Sequence, residues 1–292
     1  MGWTPYRWAC HAGNTIIAMA QGLVRRYRCG IGVIWIPGGP VGDIGAWGQE
    51  LQECIRRDTR LNFIYCRLNS SRASDRNDSM RLAAGGWRPP RSPLTSATSL
   101  IYDVTQAESD RIRASSKNWR HNLKRSHKGS FKVAPWANPN VAEMRAVYAE
   151  MEGLKRLPLQ HSDANLRSLY EHVDKRLITY ACRDPQGKLL AFRACAVSGD
   201  KAWDMLAATS AAGRKTYASY ATFWALTQEC HRRGIRQYDL SGIDREANRG
   251  VYDFKTGTGA APIEYLGEWE WASPGLFALP ANWLIGRRRN GL

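Results

Sequence analysis

Five short apolar runs, GVIWIP, LNFIYCRL, LIYDV, RLITYACR and KLLAFRACAV, recur along the chain, each followed within two residues by a polar residue or glycine. Their apolar stretches are of strand rather than helix length. Two of them sit beside tight breaks: Gly13-Asn14 separates PYRWACHA from TIIAMAQGLVRRY ahead of the first run, and Pro185-Gln186-Gly187 joins the last two. Helical stripes fall between the runs. Trp47, Leu51, Cys54 and Ile55 are spaced for one buried helix face, and Tyr220, Phe223, Trp224, Thr227 and Cys230 line one side of a stretch from Tyr217 to Arg233 that Gly234 stops. Further helices are expected around Val141 to Met151 and Asp163 to Val173. Strand meanders interrupted by helices restrict the chain to an α/β fold with mostly antiparallel central sheets.

The length of 292 residues, 43% of them apolar, is enough for two compact domains and excludes disorder as the main state. No run reaches the ~18 to 20 uncharged apolar residues of a membrane-spanning helix, and MGWTPYRWAC lacks the layout of a secretory signal. The expected compartment is the cytoplasm, including the inner face of the membrane. Seven scattered cysteines without a C-x-x-C pair read as reduced thiols, so neither a metal site nor a cofactor is expected. A net charge of +16 points to a polyanion or an anionic membrane face as partner. Monomer is the default state.

The positive charge is concentrated. From Arg111 to Lys132 the chain has eight basic residues and no acid. Thr105 and Glu108 have capping-box spacing for a helix through this segment, with Ile112, Trp119 and Leu123 on one stripe and Gly129 at its end. Lys117, Arg120, Lys124, Arg125 and Lys128 would suit nucleic-acid phosphates; a solvated helix face has the same composition. The tail PGLFALPANWLIGRRRNGL mixes apolar residues with Arg287, Arg288 and Arg289, which suits a membrane face as well as it suits a plain terminal helix.

The sequence contains no Walker loop, no G-x-S-x-G, no H-E-x-x-H and no G-x-G-x-x-G after a strand, and the six dispersed histidines mark no site. Near the C-terminus, Lys255 follows an aromatic anchor, Phe254, and precedes Gly257-Thr258-Gly259, read as a flexible loop where backbone can approach a ligand. Tyr252 lies three residues earlier, on the same side of any short helix there.

The words AATSAAGRKTYASYATFW and YDLSGIDREANRGVYDFKTGTG, from Ser210 to Glu268, resemble the FemABX family of non-ribosomal aminoacyltransferases, with weaker similarity at WIPGGPV and at LIYDV with SKNWRHNLKRS. The resemblance implies two side-by-side GNAT-like domains, the fold of acyl-CoA N-acyltransferases. With the last segment returning to the first domain, the expected boundaries are 1–104 plus 265–292 and 105–264. It implies transfer of an amino acid from aminoacyl-tRNA to an amine of a peptidoglycan precursor or related peptide, such as a peptide antibiotic under assembly. Lys255 matches the family's lysine that stabilises the tetrahedral intermediate, Arg214 matches an arginine that grips acceptor phosphates, and Tyr217 or Tyr220 matches a tyrosine near the acceptor. Family members usually open with a further helix carrying a phosphate-contacting lysine, whereas this sequence starts almost at the strand, and Gly38 stands where an arginine is more common. A nucleotide-diphosphate sugar acceptor is therefore not carried over.

Two other readings compete. An acyl-CoA-dependent N-acyltransferase acting on a polysaccharide or lipid-linked sugar would keep the fold. It would need a glycine-rich turn at a helix N-terminus for the CoA phosphates. The turn Ala211 to Tyr217 lacks the second glycine of that pattern. A non-catalytic RNA-binding protein would use the charge alone.

Overall fold

The computed structural model describes residues 2–155, 159, 161–243 and 248–289. The chain divides into two compact units, Met1–Thr98 with Ile263–Leu292, and Ser99–Pro262. The first boundary falls ahead of LIYDV, not behind it, because Ile101–Asp103 pairs antiparallel with Gln237–Asp239.

In the first unit, β1 (Thr4–Ala12), β2 (Thr15–Arg26), β3 (Ile31–Pro37), the two-residue β4 (Val41–Gly42), α1 (Gln49–Thr59), β5 (Phe63–Ala73) and α2 (Arg76–Ala84) follow in order. The second unit begins with β6 (Thr98–Asp103), α3 (Glu108–Ala114), α4 (Lys117–Ser126), β7 (Lys132–Pro135), α5 (Val141–Lys155) and α6 (Asp163–Val173). It continues through β8 (Leu177–Arg183), β9 (Leu189–Ser198), β10 (Lys201–Thr209), the short α7 (Ala211–Lys215), α8 (Ala218–Arg232), β11 (Gln237–Asp239) and α9 (Arg249–Gly257). The chain then returns to the first unit as β12 (Ala261–Ser273) and α10 (Ala278–Arg289).

The sheets are mixed, with one parallel pair in each unit. The first runs β1-β2-β3-β5-β12 with β3 parallel to β5; the second runs β6-β11-β10-β9-β8-β7 with β10 parallel to β11; the other pairs within the two units are antiparallel. The helical stripe expected on Trp47, Leu51, Cys54 and Ile55 forms only in part: Trp47 ends a separate 3-10 turn, Ile44–Trp47, the non-helical Gly48 follows, and α1 carries Leu51 and Ile55 into the core with Ile34, Ile36 and Leu68. In the second unit Phe223, Leu226 and Cys230 of α8 pack on Ile178, Tyr238 and Leu240.

Three local features differ from expectation. The expected single basic helix is broken at Ser115-Ser116 into α3 and α4, because Ser116 caps α4 through Trp119 N–H. The Thr105/Glu108 capping box does not form: Thr105 gives both its N–H and its hydroxyl to Asp103, leaving Ala107 at the start of α3. The strand expected to end at Asn69 extends to Ala73, and α2 behind it carries no strong apolar period.

The first unit is held by a buried ionic network as well as by its apolar core. Arg67 lies 2.9 Å from Glu268 and 3.7 Å from Glu270. Tyr65 and Asn282 both donate to Glu270, while Glu268 accepts from Leu94 N–H and from the N–H and hydroxyl of Thr95. Arg88, on the surface, reaches Glu270 at 3.2 Å, but Arg67 is the buried cation shared by both carboxylates. Arg67→Ala leaves Glu268 with neutral donors alone and Glu270 with the exposed Arg88, and we expect a loss of about 3–5 kcal/mol, read as a lower urea midpoint.

Candidate active site

All the catalytic and binding candidates lie in the second unit. Lys255, in the last turn of α9, is 8% exposed, and its ammonium donates to the carbonyls of Ser241 (3.1 Å) and Gly242 (2.7 Å). An ammonium has three N–H donors, and among the described residues the third meets no acceptor. The two carbonyls are brought round by successive left-handed residues, Ser241 at φ 57° and Gly242 at φ 70°. A serine rarely adopts that conformation, so the surroundings must impose it. They do: Asp239 accepts from Ser241 N–H at 2.9 Å and from the Ser99 hydroxyl, whose oxygen in turn accepts from Gly242 N–H at 3.0 Å. Lys201 lies 3.3 Å from the other Asp239 oxygen.

The glycines after Lys255 do a different job from the one expected. A side chain at Gly257 would meet Trp119 at 3.0 Å, and one at Gly259, where φ is +83°, would meet the Ala114 carbonyl at 2.6 Å. Gly257 also accepts from Ser116 N–H, and Ser115 donates to the Thr258 carbonyl. The Gly-Thr-Gly segment is therefore a packed joint against the α3–α4 break, and the close approach it permits is to protein.

Beneath α9 lies a second buried ion pair. Arg193 forms a two-pronged bond to Asp204 at 2.8 and 2.6 Å, Asp204 also accepts from Tyr238, and the guanidinium sits 5.0 Å from the Phe223 ring centre and 5.1 Å from that of Phe254. Although burial works against its charge, the Asp204 carboxylate holds Arg193 above the ordinary guanidinium range. Burial pushes the Tyr238 hydroxyl well up, helped by the same carboxylate. Lys255 moves the other way: burial lowers it and Arg193 adds to this, against the opposing pull of Asp204 and Asp239.

Several candidates are brought together. Phe254 packs edge-on to Tyr220 at 5.0 Å and to Phe223 at 5.6 Å, with Trp119 behind it. Tyr220 accepts from Asn122 of α4, and burial raises its hydroxyl. Tyr217, which starts α8 in a left-handed conformation at φ 60°, meets Tyr220 and accepts from Arg125 at 2.7 Å. Tyr252 is half-buried on α9, its carbonyl accepting from Thr256.

The rest stand apart from this cluster. Arg214 is exposed on α7, and Lys117, Lys124 and Lys128 are exposed on or just after α4. Arg120 is half-exposed, and its Nη1 donates to the carbonyls of Arg113 and Ser115, splinting the helix break. Asp244, in the turn that carried part of the resemblance, lies outside the described residues.

The sequence reading missed Ser99, Arg193, Asp204 and Asp239. The signal was present for the middle pair: an Arg in LLAFRACAV and an Asp in KAWDML interrupt strand runs, and charges at such positions need each other. Asp239, two residues before Ser241, has the spacing of an Asx turn.

The FemAB family model matches residues 184–282. This span holds α8, β11, α9 and the whole Lys255 cradle except Ser99. Over this span the sequence is similar to the FemAB family. No curated protein sequence matches it. Among solved structures, FemX superposes with a TM-score of 0.79 at 13% identity, over 92% of this chain and 88% of that one. L-PGS from Bacillus licheniformis gives a TM-score of 0.59 at 15% identity, covering 92% and 86%. A tandem GNAT protein from the clavulanic acid biosynthesis pathway gives 0.57 at 11%, covering 93% and 84%. The chain thus has a tandem GNAT-like fold.

Two measurements follow from the cradle. Ser99→Ala removes a donor to Asp239 and an acceptor for Gly242, so we expect a loss of about 1–3 kcal/mol and faster hydrogen exchange at the Gly242 amide. Because Lys255 is depressed in the folded state, that state releases the proton first. Between the folded value and the ~10.4 of a solvated lysine, the unfolded chain binds more protons and stability rises with pH. Lys255→Met should remove this rise, read from urea midpoints across the alkaline range.

Proposed function

We propose that this FemAB-like protein is an acyltransferase that moves an amino acid from aminoacyl-tRNA onto a free amine of a peptidoglycan precursor or related peptide. The observation that carries the proposal is the Lys255 ammonium, a buried cation whose remaining N–H has no protein acceptor among the described residues.

An aminoacyl ester is already activated, so no enzyme nucleophile is required. The acceptor's neutral amine adds to the ester carbonyl, the carbonyl oxygen becomes anionic, and Lys255 donates to it. The tetrahedral adduct then collapses to the amide as the ribose hydroxyl departs, with the proton lost by the amine balancing the one gained by the leaving oxygen. A donor aimed at a developing oxyanion in a site shielded from water contributes more than it would in solvent. The Asp239–Ser99 clamp fixes both carbonyls that aim this donor, so the ammonium is set before the substrate arrives. Lys117, Lys124, Arg125 and Lys128 would take phosphates of the tRNA, and Arg214 an anionic group of the acceptor. Tyr217 and Tyr220 would line the acceptor's approach, with Tyr252 on the neighbouring helix.

The turn at α7 argues against acyl-CoA as donor. Ala211 N–H is taken by the Glu150 carboxylate at 2.9 Å and Gly213 N–H by the Ser210 hydroxyl at 3.1 Å. A pyrophosphate there would meet a like charge in place of free donors.

The deciding experiment incubates the protein with separately charged, radiolabelled tRNAs and peptide amines, alongside labelled acetyl-CoA. Label is expected to move from tRNA; movement from acetyl-CoA alone overturns the proposal. Lys255→Ala should lower turnover by about 10²–10³-fold while tRNA affinity stays within about two-fold. The wild-type rate should fall with rising pH over the same alkaline window in which stability rises, since the catalytic form is the cation.

A further inference from the structure

The C-terminal helix presents its apolar edge to solvent. Within and just before α10, Leu276 is 78% exposed, Leu279 51%, Trp283 59% and Leu284 55%. The residues turned inward are Ala278 and Asn282. This inversion of the usual helix pattern has a visible cause. Asn282 donates to Glu270 at 2.6 Å and lies 3.3 Å from Arg67, so the buried ionic network of the first unit fixes which side of α10 faces in. The apolar side is left outward.

The outward edge borders a shallow hollow of about 360 Å³ lined by Arg91, Ser92, Leu279, Asn282, Trp283 and Arg287, together with Gly286. None of these residues is acidic, and the chain carries no acid after Glu270, while Arg288 and Arg289 follow Arg287 in sequence. The Arg287 guanidinium lies 4.9 Å from the Trp283 ring centre. Adjacent apolar side chains that include an amphipathic indole, flanked by arginines, match the layered chemistry of a bilayer surface: acyl chains below, anionic headgroups above. A second copy is a poor occupant, because face-to-face pairing would set the arginines of the two copies against one another.

We propose that α10 and the residues leading into it form a peripheral docking surface for an anionic lipid bilayer. Leu276, Leu279, Trp283 and Leu284 enter the interface, and Arg91 and Arg287 meet the headgroups. The surface lies wholly in the first unit, and its failure would leave the acyl-transfer proposal untouched.

The test is co-sedimentation of the full chain with vesicles of phosphatidylcholine alone or mixed with phosphatidylglycerol. A protein of net charge +16 will be drawn to anionic vesicles by charge alone, so the apolar edge is the diagnostic part. We compare the double variant Leu279→Ser/Trp283→Ala with Met80→Ser, a control at a 52% exposed residue of α2. Wild type and control should pellet with the mixed vesicles and not with phosphatidylcholine alone, and the double variant should lose at least ten-fold in apparent affinity. The proposal is overturned if the double variant pellets like wild type, if wild type does not pellet, or if sedimentation velocity reveals a wild-type dimer that the double variant lacks. Leu276→Ser, which lies ahead of α10, carries the same test should the double variant unfold.

Discussion

The site depends on placing one ammonium in the interior with two carbonyls for partners and no carboxylate within bonding distance among the described residues. A Lys–carboxylate pair would satisfy the charge and leave it inert. Neutral carbonyls share the proton density without cancelling the charge, so Lys255 remains available to a new anion. That arrangement needs a backbone bent so that consecutive carbonyls face the same point, and Ser241 takes an unfavourable conformation to provide it. Asp239 and Ser99 hold the bend from opposite strands, β11 and β6. The proposed chemistry at the tip of α9 is thus built from the ends of a sheet.

Each unit contains a buried arginine with carboxylates, and the two pairs serve different ends. In the first unit, Arg67 with Glu268 and Glu270 sets the orientation of the terminal helix through Asn282. In the second, Arg193 with Asp204 lies beneath Phe254 and shapes the field at Lys255, where its cation opposes that of the lysine. Burial and Arg193 lower the proton affinity of Lys255 while Asp204 and Asp239 raise it. The ammonium is consequently weaker as a base than a surface lysine and stronger as a hydrogen-bond donor.

Much of the architecture was legible in the sequence because period and punctuation agree there. The meander around Gly13-Asn14, Leu51 and Ile55 on α1, and the long helix stopped by Gly234 follow the pattern, whereas Trp47 falls in a separate turn because Gly48 breaks the helix. The basic segment misled because Thr105 and Glu108 have the right spacing for a cap, while Asp103 offers Thr105 a nearer acceptor and Ser116 offers α4 a better start. Lys255 could be singled out by its surroundings in sequence, but its partners could not. Ser99 lies more than a hundred residues away, and main-chain carbonyls have no sequence signature. Arg120, read as one cation among several, also gives Nη1 to two carbonyls, a contact that depends on a helix break the periodicity did not reveal.

The missing side chains at Gly257 and Gly259 have a mechanical consequence. They let the end of α9 lie directly on Trp119 and on the carbonyl of Ala114, with Ser115 and Ser116 pinning the contact. The cationic helix and the helix bearing the ammonium are therefore bolted together like two arms of one lever. Any load on the first arm is transmitted to the tip of the second without a flexible link between them.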